Sequence, residues 1–409
     1  MNNRPQAPTI LANPRIRWLH GSSSARRRSW SHRITTPADA AGFLGRCLSY
    51  DSAATSRADL GDLLKFGEID WLVVASLSNQ FHLTPALQIG LQRKALTFLL
   101  PSDLRAYLEM ISALNRQRNR RIARQASEVF AALNSQGLRP VLMKGGLFLF
   151  EAAPDMGLLM MADMDVLLPN EEFPLACSIL RALGYVSFGE PSPHAHAVTF
   201  HRAGELASID LHLRVGPQIH LLTSADACRS AIALPERGLT LAGLSPTHRV
   251  LLLLMNFCLF EPQYCNRELP LRSLHDLAVI SWRHGPNIDW VAIAETVARY
   301  SLDAPARAWF NMAHRLLGVP VPESLREDRT ARRHARLCLL QLNLPWLARP
   351  FRYGTRLTWI FSAWRMDYRY GCGRKGWPLA ATRLRHALGV LLRRCHGVVA
   401  PPNRRLTSQ

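Results

Sequence analysis

The sequence of 409 residues lacks the cysteine spacing that zinc fingers and disulfide frameworks require. Its 8 cysteines are scattered without a CxxC pair, which argues against a structural zinc site and a disulfide-stapled fold. Long apolar runs are also missing, because the longest, VLLLLMNFCLF, is too short to span a bilayer as a helix. Tandem repeats and low-complexity tracts are absent as well. We therefore expect a globular protein without a transmembrane segment, located in the cytoplasm with reduced thiols.

Acidic residues are scarce, with 30 Asp+Glu against 50 Lys+Arg and a net charge of +20. This balance favours anionic partners such as nucleotides, nucleic acid or acidic lipid. Much of the charge lies near the two ends, and no nucleic-acid reader motif is present, so sequence-specific nucleic-acid binding is not expected. The segment LAATRLRHALGVLLRR separates arginines from apolar residues. It predicts a helix that packs on the helical domain or makes peripheral contact with an acidic surface.

Changes in pattern along the chain predict six consecutive stretches. The first is rich in Arg, Ser and Pro and has no acidic residue before Asp39, so we expect it to be disordered. Its composition also resembles a transit peptide. The predicted stretches are a disordered basic segment (1–62), a helical lead-in (63–137), an α+β core (138–216), a helical domain (217–320), basic aromatic-rich helices (321–394) and a tail (395–409).

The core stretch alternates between strand-like and helix-like patterns. The predicted strands are 140–144, 163–168, 185–188, 197–202 and 208–213, and the predicted helices are 146–152 and 171–183. In the lead-in, a long helix carries a stripe of arginines, which we interpret as a solvated face or, alternatively, as a surface that faces phosphate. These arginines are Arg116, Arg118, Arg120, Arg121 and Arg124.

Asp163 and Asp165 in MMADMDVLL are the most informative residues of the core. Side chains alternate along a strand, so both aspartates project to one face while Met164 and Val166 point inward. Two adjacent carboxylates repel each other, and a hard divalent cation such as Mg²⁺ or Mn²⁺ is the usual reason to keep them. The alternative is a pair of exposed charges at a strand end.

Two further signals flank the aspartate pair. Lys144-Gly145-Gly146 closes one strand and opens a helix, where glycine lets backbone N–H groups approach phosphate, although ordinary turns use glycine equally well. In SIDLHLRV, Asp210 and His212 alternate with apolar residues, so Asp210 supplies a third carboxylate. Three such carboxylates suit a two-metal site for phosphoryl chemistry.

The order KGG, DMD and IDLHLR resembles the uncharacterised nucleotidyltransferase family (family 5) of the DNA polymerase β-like superfamily. The resemblance covers residues 63–394, including GLRPVLMKGG and LRSLHDLAVIS. It implies an α+β fold, with a small mixed-sheet, polymerase β-like nucleotidyltransferase core flanked by N-terminal and C-terminal helical regions. The implied activity is transfer of a nucleotidyl group from an NTP to a hydroxyl-bearing acceptor that is a small molecule, a peptide or protein, or a saccharide.

Carried over by position, the resemblance casts Asp163 and Asp165 as ligands of the nucleotide-bound Mg²⁺ or Mn²⁺. Asp210 becomes the ligand of the catalytic metal and the activator of the acceptor hydroxyl. The phosphate-side residues are then Lys144, Gly145 and Gly146, with His212 orienting Asp210 or touching the acceptor. A strand-end salt bridge for Lys144 and a structural role for His212 stay open.

One departure from the family pattern bears on activity. Relatives carry arginine four residues before the first aspartate and glycine directly before it, whereas this chain has Leu159 and Ala162. Arg139 or Arg214 are candidates to compensate. The alternative function is a catalytically degenerate nucleotide-binding protein on the same fold, and a basic protein that binds nucleic acid or a membrane surface ranks last.

Overall fold

A mixed seven-stranded sheet, with helices before and after it in the chain, forms the centre of the protein. The structure is a computed structural model. It describes residues 33–50, 54–151, 155–188, 196–216, 221–234, 238–352, 354, 361, 366 and 376–395. The predicted α+β class with a mixed sheet is confirmed.

The large sheet has the strand order β5-β6-β7-β4-β3-β9-β8. Strands β4 and β7 are parallel, as are β3 and β9, and the other neighbouring pairs are antiparallel. A separate parallel pair joins β1 to β2. The strands are β1 Arg33–Ile34, β2 Glu68–Ile69, β3 Val141–Leu142, β4 Asp163–Leu167, β5 Val186–Phe188, β6 Ala197–His201, β7 Ser208–His212, β8 Ile232–Ala233 and β9 Ala242–Gly243.

Helices form the lead-in and most of the chain after the sheet. The lead-in helices are α1 Pro37–Leu48, α2 Ala54–Phe66, α3 Trp71–Gln80, α4 Thr84–Arg93 and α5 Ser102–Ser135. Helices within the sheet region are α6 Lys144–Phe150, α7 Phe173–Ala182 and α8 Ser224–Arg229. The later helices are α9 Pro246–Met255, α10 Gln263–Asn266, α11 Leu271–His284, α12 Trp290–Arg299, α13 Asp303–Leu317, α14 Glu323–Arg326, α15 Arg329–Asn343 and α16 Gly376–Cys395.

The five predicted core strands are present, with ends within two residues of the prediction. Strands β8 and β9 were not predicted. Each has two residues, too few for a side-chain alternation to show in sequence. Strand β9 pairs with β3, and β8 pairs with β9.

The predicted disorder of residues 1–62 is wrong for residues 33–48, which contain β1 and α1, and for residues 54–62, which lie in α2. Thr36 and Asp39 make a reciprocal capping box that starts α1, with 3.2 Å from Thr36 N to Asp39 Oδ2. Behind this cap, Phe43 and Leu44 are fully buried in the core. Averaging the composition over the arginine-rich start concealed this short apolar pattern. Residues 1–32 lie outside the described part of the chain.

Among the described residues, no helix is long and apolar enough to cross a membrane. The basic segment near the C-terminus forms helix α16, as its pattern predicts. Leu379 and His386 of this helix are buried, whereas Trp377 is exposed. The predicted contact of α16 with an acidic surface remains a prediction.

Helix α1 packs against α3, α4, α13 and α15, and small residues make two of these contacts close. A Cβ at Gly45 of α1 would overlap the backbone carbonyl of Leu316 in α13. A Cβ at Gly90 of α4 would lie 2.5 Å from the carbonyl oxygen of Cys47. Backbone atoms cannot rotate away as side chains do, so both glycines set the distance between helices.

We predict that Gly45→Ala lowers the free energy of unfolding by about 1–3 kcal/mol, the usual cost of overpacking. The methyl group meets the backbone of Leu316, and α13 must move away to admit it. Urea unfolding followed by circular dichroism measures the change.

Gly61→Ala in helix α2 is the matched control, because its Cβ meets only Leu96 Cδ2 at 3.7 Å. Alanine favours helix over glycine, so this variant should gain roughly 0.5–1 kcal/mol. Equal effects of the two substitutions would contradict the proposed close approach of α1 and α13.

Candidate metal and nucleotide site

Two adjacent parallel strands bring the predicted acidic residues together. In the register of β4 and β7, Asp165 lies opposite Asp210 and Leu167 lies opposite His212. Because side chains alternate along each strand, Asp165, Asp210 and His212 share one face. The opposite face is apolar and buried, with Met164 on β4 and Ile209 on β7. The alternation predicted from the sequence is confirmed.

Asp165 is a carboxylate buried almost completely, with 1% of its surface exposed. Lys144 Nζ donates to its Oδ1 at 2.5 Å, and His212 Nε2 lies 2.9 Å from the same oxygen. Burial alone would raise the pKa of Asp165, but the charge of Lys144 and the contact with His212 outweigh it and lower this pKa to about 2. Asp165 is therefore ionised in the folded protein at neutral pH.

Lys144 adopts an uncommon backbone conformation to reach Asp165, with a φ of 44°. For a residue other than glycine this left-handed conformation costs about 1–2 kcal/mol. Desolvation lowers the pKa of Lys144, but the charges of Asp165, Asp163 and Asp210 raise it above its ordinary value. The salt-bridge interpretation of Lys144 is thus confirmed, and the ion pair helps offset the backbone strain.

Asp210, Asp165 and His212 form a cluster with the donor set of a cation site. One ligand atom of each lies within 4.8 Å of the others. Asp210 Oδ1 is buried and has no hydrogen-bond partner among the described residues. An unpaired buried carboxylate oxygen is costly, and a divalent cation is a partner that satisfies it. The residues present fit a Mg²⁺ or Mn²⁺ ion.

His212 is buried between two acceptor oxygens. Its Nδ1 lies 3.1 Å from the carbonyl oxygen of Arg214, and its Nε2 faces Asp165. A backbone carbonyl on one ring nitrogen fixes the ring orientation, as it does for histidines that ligate metals. The ring therefore holds Asp165 in place, and one of its nitrogens lies within 4.8 Å of a carboxylate oxygen of Asp165 and of Asp210.

Asp163 occupies the exposed start of β4 and does not belong to the close group of ligand atoms. Its pKa is raised, first by desolvation and then by the negative charge of Asp165, with a smaller contribution from Asp210. An additional cation would relieve this repulsion. The metal-ligand role predicted for Asp163 stays a prediction.

Helix α5 fixes the approach to both acidic strands through buried amides. Asn115 Nδ2 donates to the carbonyls of Gly157 at 2.7 Å and Leu159 at 3.1 Å, before β4 begins. Gln125 exchanges two hydrogen bonds with Ala207, directly before β7, at 2.8 and 3.3 Å. One rigid helix thus sets the starting points of both strands.

Asn119 and Arg118 complete this contact. Asn119 Nδ2 donates to Leu159 O at 2.8 Å, and Arg118 donates to the carbonyls of Met161 and Leu206. Burial lowers the pKa of Arg118, and the charge of Asp163 partly offsets this shift. Arg118 thus lies within electrostatic reach of Asp163.

The arginine stripe of α5 is only partly the solvated face that we predicted. Arg120, Arg121 and Arg124 are exposed as expected. Arg116 instead pairs with Asp155 at 2.6 Å, and Arg118 is half-buried. The sequence signal that we missed is the polar repeat of asparagine and glutamine between the arginines.

The two glycines after Lys144 have different structural requirements. A Cβ at Gly146 would overlap Met164 Sδ, so this glycine is needed for packing of α6 on β4. A Cβ at Gly145 would make an ordinary contact of 3.6 Å with Met161 Cβ. Packing therefore explains Gly146 but does not require glycine at position 145.

The residue at the family's arginine position is buried. The Leu159 side chain is 2% exposed and packs in the core, so it supplies no charge to the site. Arg139 is exposed before β3, at the end of that strand away from Lys144. Lys144 and Arg118 act on the aspartates through their charges, and we proposed neither as compensation. Compensation by Arg214 stays a prediction.

Comparison with known proteins gives one match. A family model described as an uncharacterised nucleotidyltransferase matches residues 67–318, more than half of the chain. The match includes the strands that carry Asp163, Asp165 and Asp210. No curated protein and no solved structure matches the chain significantly.

We predict that Mn²⁺ raises the thermal unfolding temperature of the protein, and that Lys144→Met increases this metal-dependent gain. The Lys144 side chain is 36% exposed, so solvent screens part of its pairing with Asp165. Its loss should cost about 1–2 kcal/mol without metal. A bound cation restores the lost positive charge, and metal at a hundred times its Kd adds about 2.7 kcal/mol. Differential scanning calorimetry with and without Mn²⁺ measures both effects.

Asp210→Asn should remove most of the metal-dependent gain, because one charged ligand is lost. Asp59→Asn, which changes an exposed carboxylate in helix α2, is the control and should behave as the wild type. A Mn²⁺ effect of equal size in all four proteins would place metal binding elsewhere.

Proposed function

The chain belongs to the family of uncharacterised nucleotidyltransferases, and from this premise we propose that it transfers a nucleotidyl group from an NTP to a hydroxyl-bearing acceptor. The observation that carries the proposal is the cluster of Asp165, Asp210 and His212 on adjacent parallel strands. The mixed sheet also supports a polymerase β-like core, which we include in the proposal.

Each residue of the cluster has a proposed role. Asp165 and Asp210 hold Mg²⁺ or Mn²⁺ together with Asp163, and His212 keeps Asp165 oriented. When bound, such a cation neutralises phosphate charge and lowers the pKa of a hydroxyl. Lys144 supplies a positive charge beside Asp165, so the strand end can accept a polyanion.

The transfer is balanced without any further reactant. The acceptor oxygen forms a bond to the α-phosphorus of the NTP, and the bond from that phosphorus to the bridging oxygen breaks. Pyrophosphate leaves with the electron pair, and the proton of the acceptor hydroxyl passes to Asp210.

The acceptor is a small molecule, a peptide or protein, or a saccharide. A cytoplasmic location belongs to the same proposal, supported by the lack of a disulfide bond among Cys47, Cys177, Cys228, Cys258, Cys265 and Cys338.

Pyrophosphate release tests the function directly. With Mg²⁺ or Mn²⁺, each NTP and a pool of hydroxylated acceptors, we expect Asp210→Asn and Asp165→Asn to lower the rate by at least about 10³-fold. A single lost electrostatic contact costs roughly 10²–10³ in rate, and these residues serve both metal and proton. Coupled phosphate detection and labelled-nucleotide transfer measure the rate.

Asp59→Asn is the control and should retain the wild-type rate. Equal rates in wild type and both site variants would sink the assignment. Asp165→Asn also needs a folding check, because Lys144 and His212 lose their charged partner.

The two glycines give a second test of the nucleotide side. Gly145→Ala should keep the stability of the wild type, since its methyl group makes an ordinary contact, yet weaken NTP binding by about tenfold if phosphate approaches the backbone there. Gly146→Ala should instead lower stability by about 1–3 kcal/mol through its overlap with Met164. Calorimetric titration with a non-hydrolysable NTP and thermal unfolding separate these effects. Unchanged NTP affinity in Gly145→Ala would remove this glycine from the phosphate site.

The alternative is a protein that binds nucleotide without turnover. Burial of Leu159 at the family's arginine position favours it, because no cation comes from that residue. NTP binding that requires metal, without pyrophosphate release against any acceptor, would select this alternative.

A further inference from the structure

A cavity of about 260 Å³ begins at Lys144 and Gly145 and extends between α6, α9 and α11. Its volume is close to the lower end of the roughly 300–1,000 Å³ typical of ligand pockets. Its walls are mainly apolar, and its charged lining consists of three cations, Lys144, Arg249 and Arg272, and two acidic residues, Glu261 and Asp276. The cationic side chains therefore outnumber the acidic ones.

Each of these cations has a protein partner. Lys144 pairs with Asp165. Arg272 pairs with Asp276 at 3.2 Å and donates to the carbonyls of His82 and Met160, each at 3.0 Å. The pair of Arg272 and Asp276 thus anchors α11.

Arg249 differs from both. It is only 5% exposed, its guanidinium lies 4.8 Å from the centroid of the Phe148 ring, and its Nη1 donates to Glu151 Oε1 at 2.6 Å. Its Nη2 is buried and has no partner among the described residues. An unmade hydrogen bond on a buried charged group is costly, so a ligand atom at this position would be strongly favoured.

The charges around Arg249 select the kind of ligand atom. Glu151 is shared by Arg249, Arg283 at 3.3 Å and His284 at 3.0 Å, so one carboxylate serves two guanidinium groups. Burial lowers the pKa of Arg249, and the charge of Arg283 adds to this shift, whereas Glu151 and Asp276 oppose it. An uncharged ligand would leave two guanidinium groups sharing one carboxylate, whereas an anionic group would supply a second negative charge.

The apolar lining of the cavity favours a ligand that is apolar apart from its anionic group. Phe81, Leu252, Leu253, Leu269 and Ile280 line the cavity with apolar surface. A strongly hydrated polyphosphate tail gains little from such walls, whereas an aromatic or aliphatic body buries its surface there.

We propose that this cavity binds the acceptor of the transfer reaction, and that the acceptor carries a carboxylate or phosphate on a largely apolar body. That the ligand is the acceptor rests on the proposed function, whereas its chemistry is argued from the cavity alone. The anionic group pairs with Arg249 Nη2, and the apolar body fills the space toward Lys144. The acceptor hydroxyl lies on the side of the cavity lined by Lys144, the residue that pairs with Asp165.

The test compares two probes that share one body, 4-hydroxyphenylacetate and its neutral amide. Titration calorimetry without nucleotide should show the acid binding to the full chain at least about tenfold more tightly than the amide, since a charge-assisted hydrogen bond is lost in the amide. Arg249→Met should abolish this preference. Equal affinity of the two probes, failure of the acid to bind, or a preference that survives Arg249→Met would overturn the proposal.

Arg283→Met is the matched control, because it removes a guanidinium from Glu151 without touching the cavity lining. It should keep the preference for the acid. If Arg249→Met fails to fold, Leu253→Phe serves instead, since it fills the cavity and should weaken the acid by about tenfold or more. Unchanged affinity in Leu253→Phe would count against the cavity.

Titration with inorganic tripolyphosphate tests whether Arg249 binds the triphosphate of the NTP instead of the acceptor. Its affinity should be the same in wild type and Arg249→Met, and a loss in the variant would assign Arg249 to the phosphates and overturn the proposal. Pyrophosphate release with a failed acid preference would reject only this inference. An acid preference without any turnover would reject only the proposed function.

Discussion

The buried carboxylate of Asp165 is the constraint on which the site depends. Removing an ion from water costs several kcal/mol, and the cost is met only if cations and hydrogen bonds surround it. Lys144 and His212 provide this compensation at 2.5 and 2.9 Å. To do so, Lys144 takes a left-handed backbone conformation, and β7 must stay in register with β4 so that His212 reaches Asp165. One buried charge therefore links the strand register, the start of α6 and the orientation of the histidine.

Helix α5 makes this arrangement rigid from the other side. Its amides and Arg118 satisfy carbonyls in the segments that enter β4 and β7, which would otherwise be buried without partners. A shift of either strand by one residue would break these bonds and expose the apolar face of the sheet. The carboxylates are positioned by the contacts of Lys144 and His212 with Asp165 and by the hydrogen bonds of α5 to the segments before β4 and β7. Their spacing therefore does not depend on a flexible loop.

Much of the fold and part of the site could be predicted from the sequence. Strands such as β4 and β7 alternate between apolar and polar residues, and that pattern gives both their position and the shared face of Asp165 and Asp210. The different environments of the two aspartates could not be predicted. Asp163 and Asp165 look equivalent in DMD, yet of the two only Asp165 is buried and contacts both Lys144 and His212. Arg249 was also missed: in the apolar run of α9 a single arginine gives no signal, and only its burial against Glu151 shows its importance. Long-range contacts decide such features, and local patterns do not record them.

The negative charges of the three aspartates are paired to different extents, so the two sides of the site differ. Asp165 pairs with Lys144 and contacts His212 on the inner side, whereas Asp210 keeps an oxygen without a partner among the described residues and Asp163 has a raised pKa. The charge that still needs a cation therefore lies away from the inner pair, toward the exposed start of β4. Arg118 of α5 acts on Asp163 through its positive charge, although Leu159 has none to offer. If the proposed function is correct, a cation would be held chiefly by these outer oxygens, because Lys144 and His212 already occupy an oxygen of Asp165.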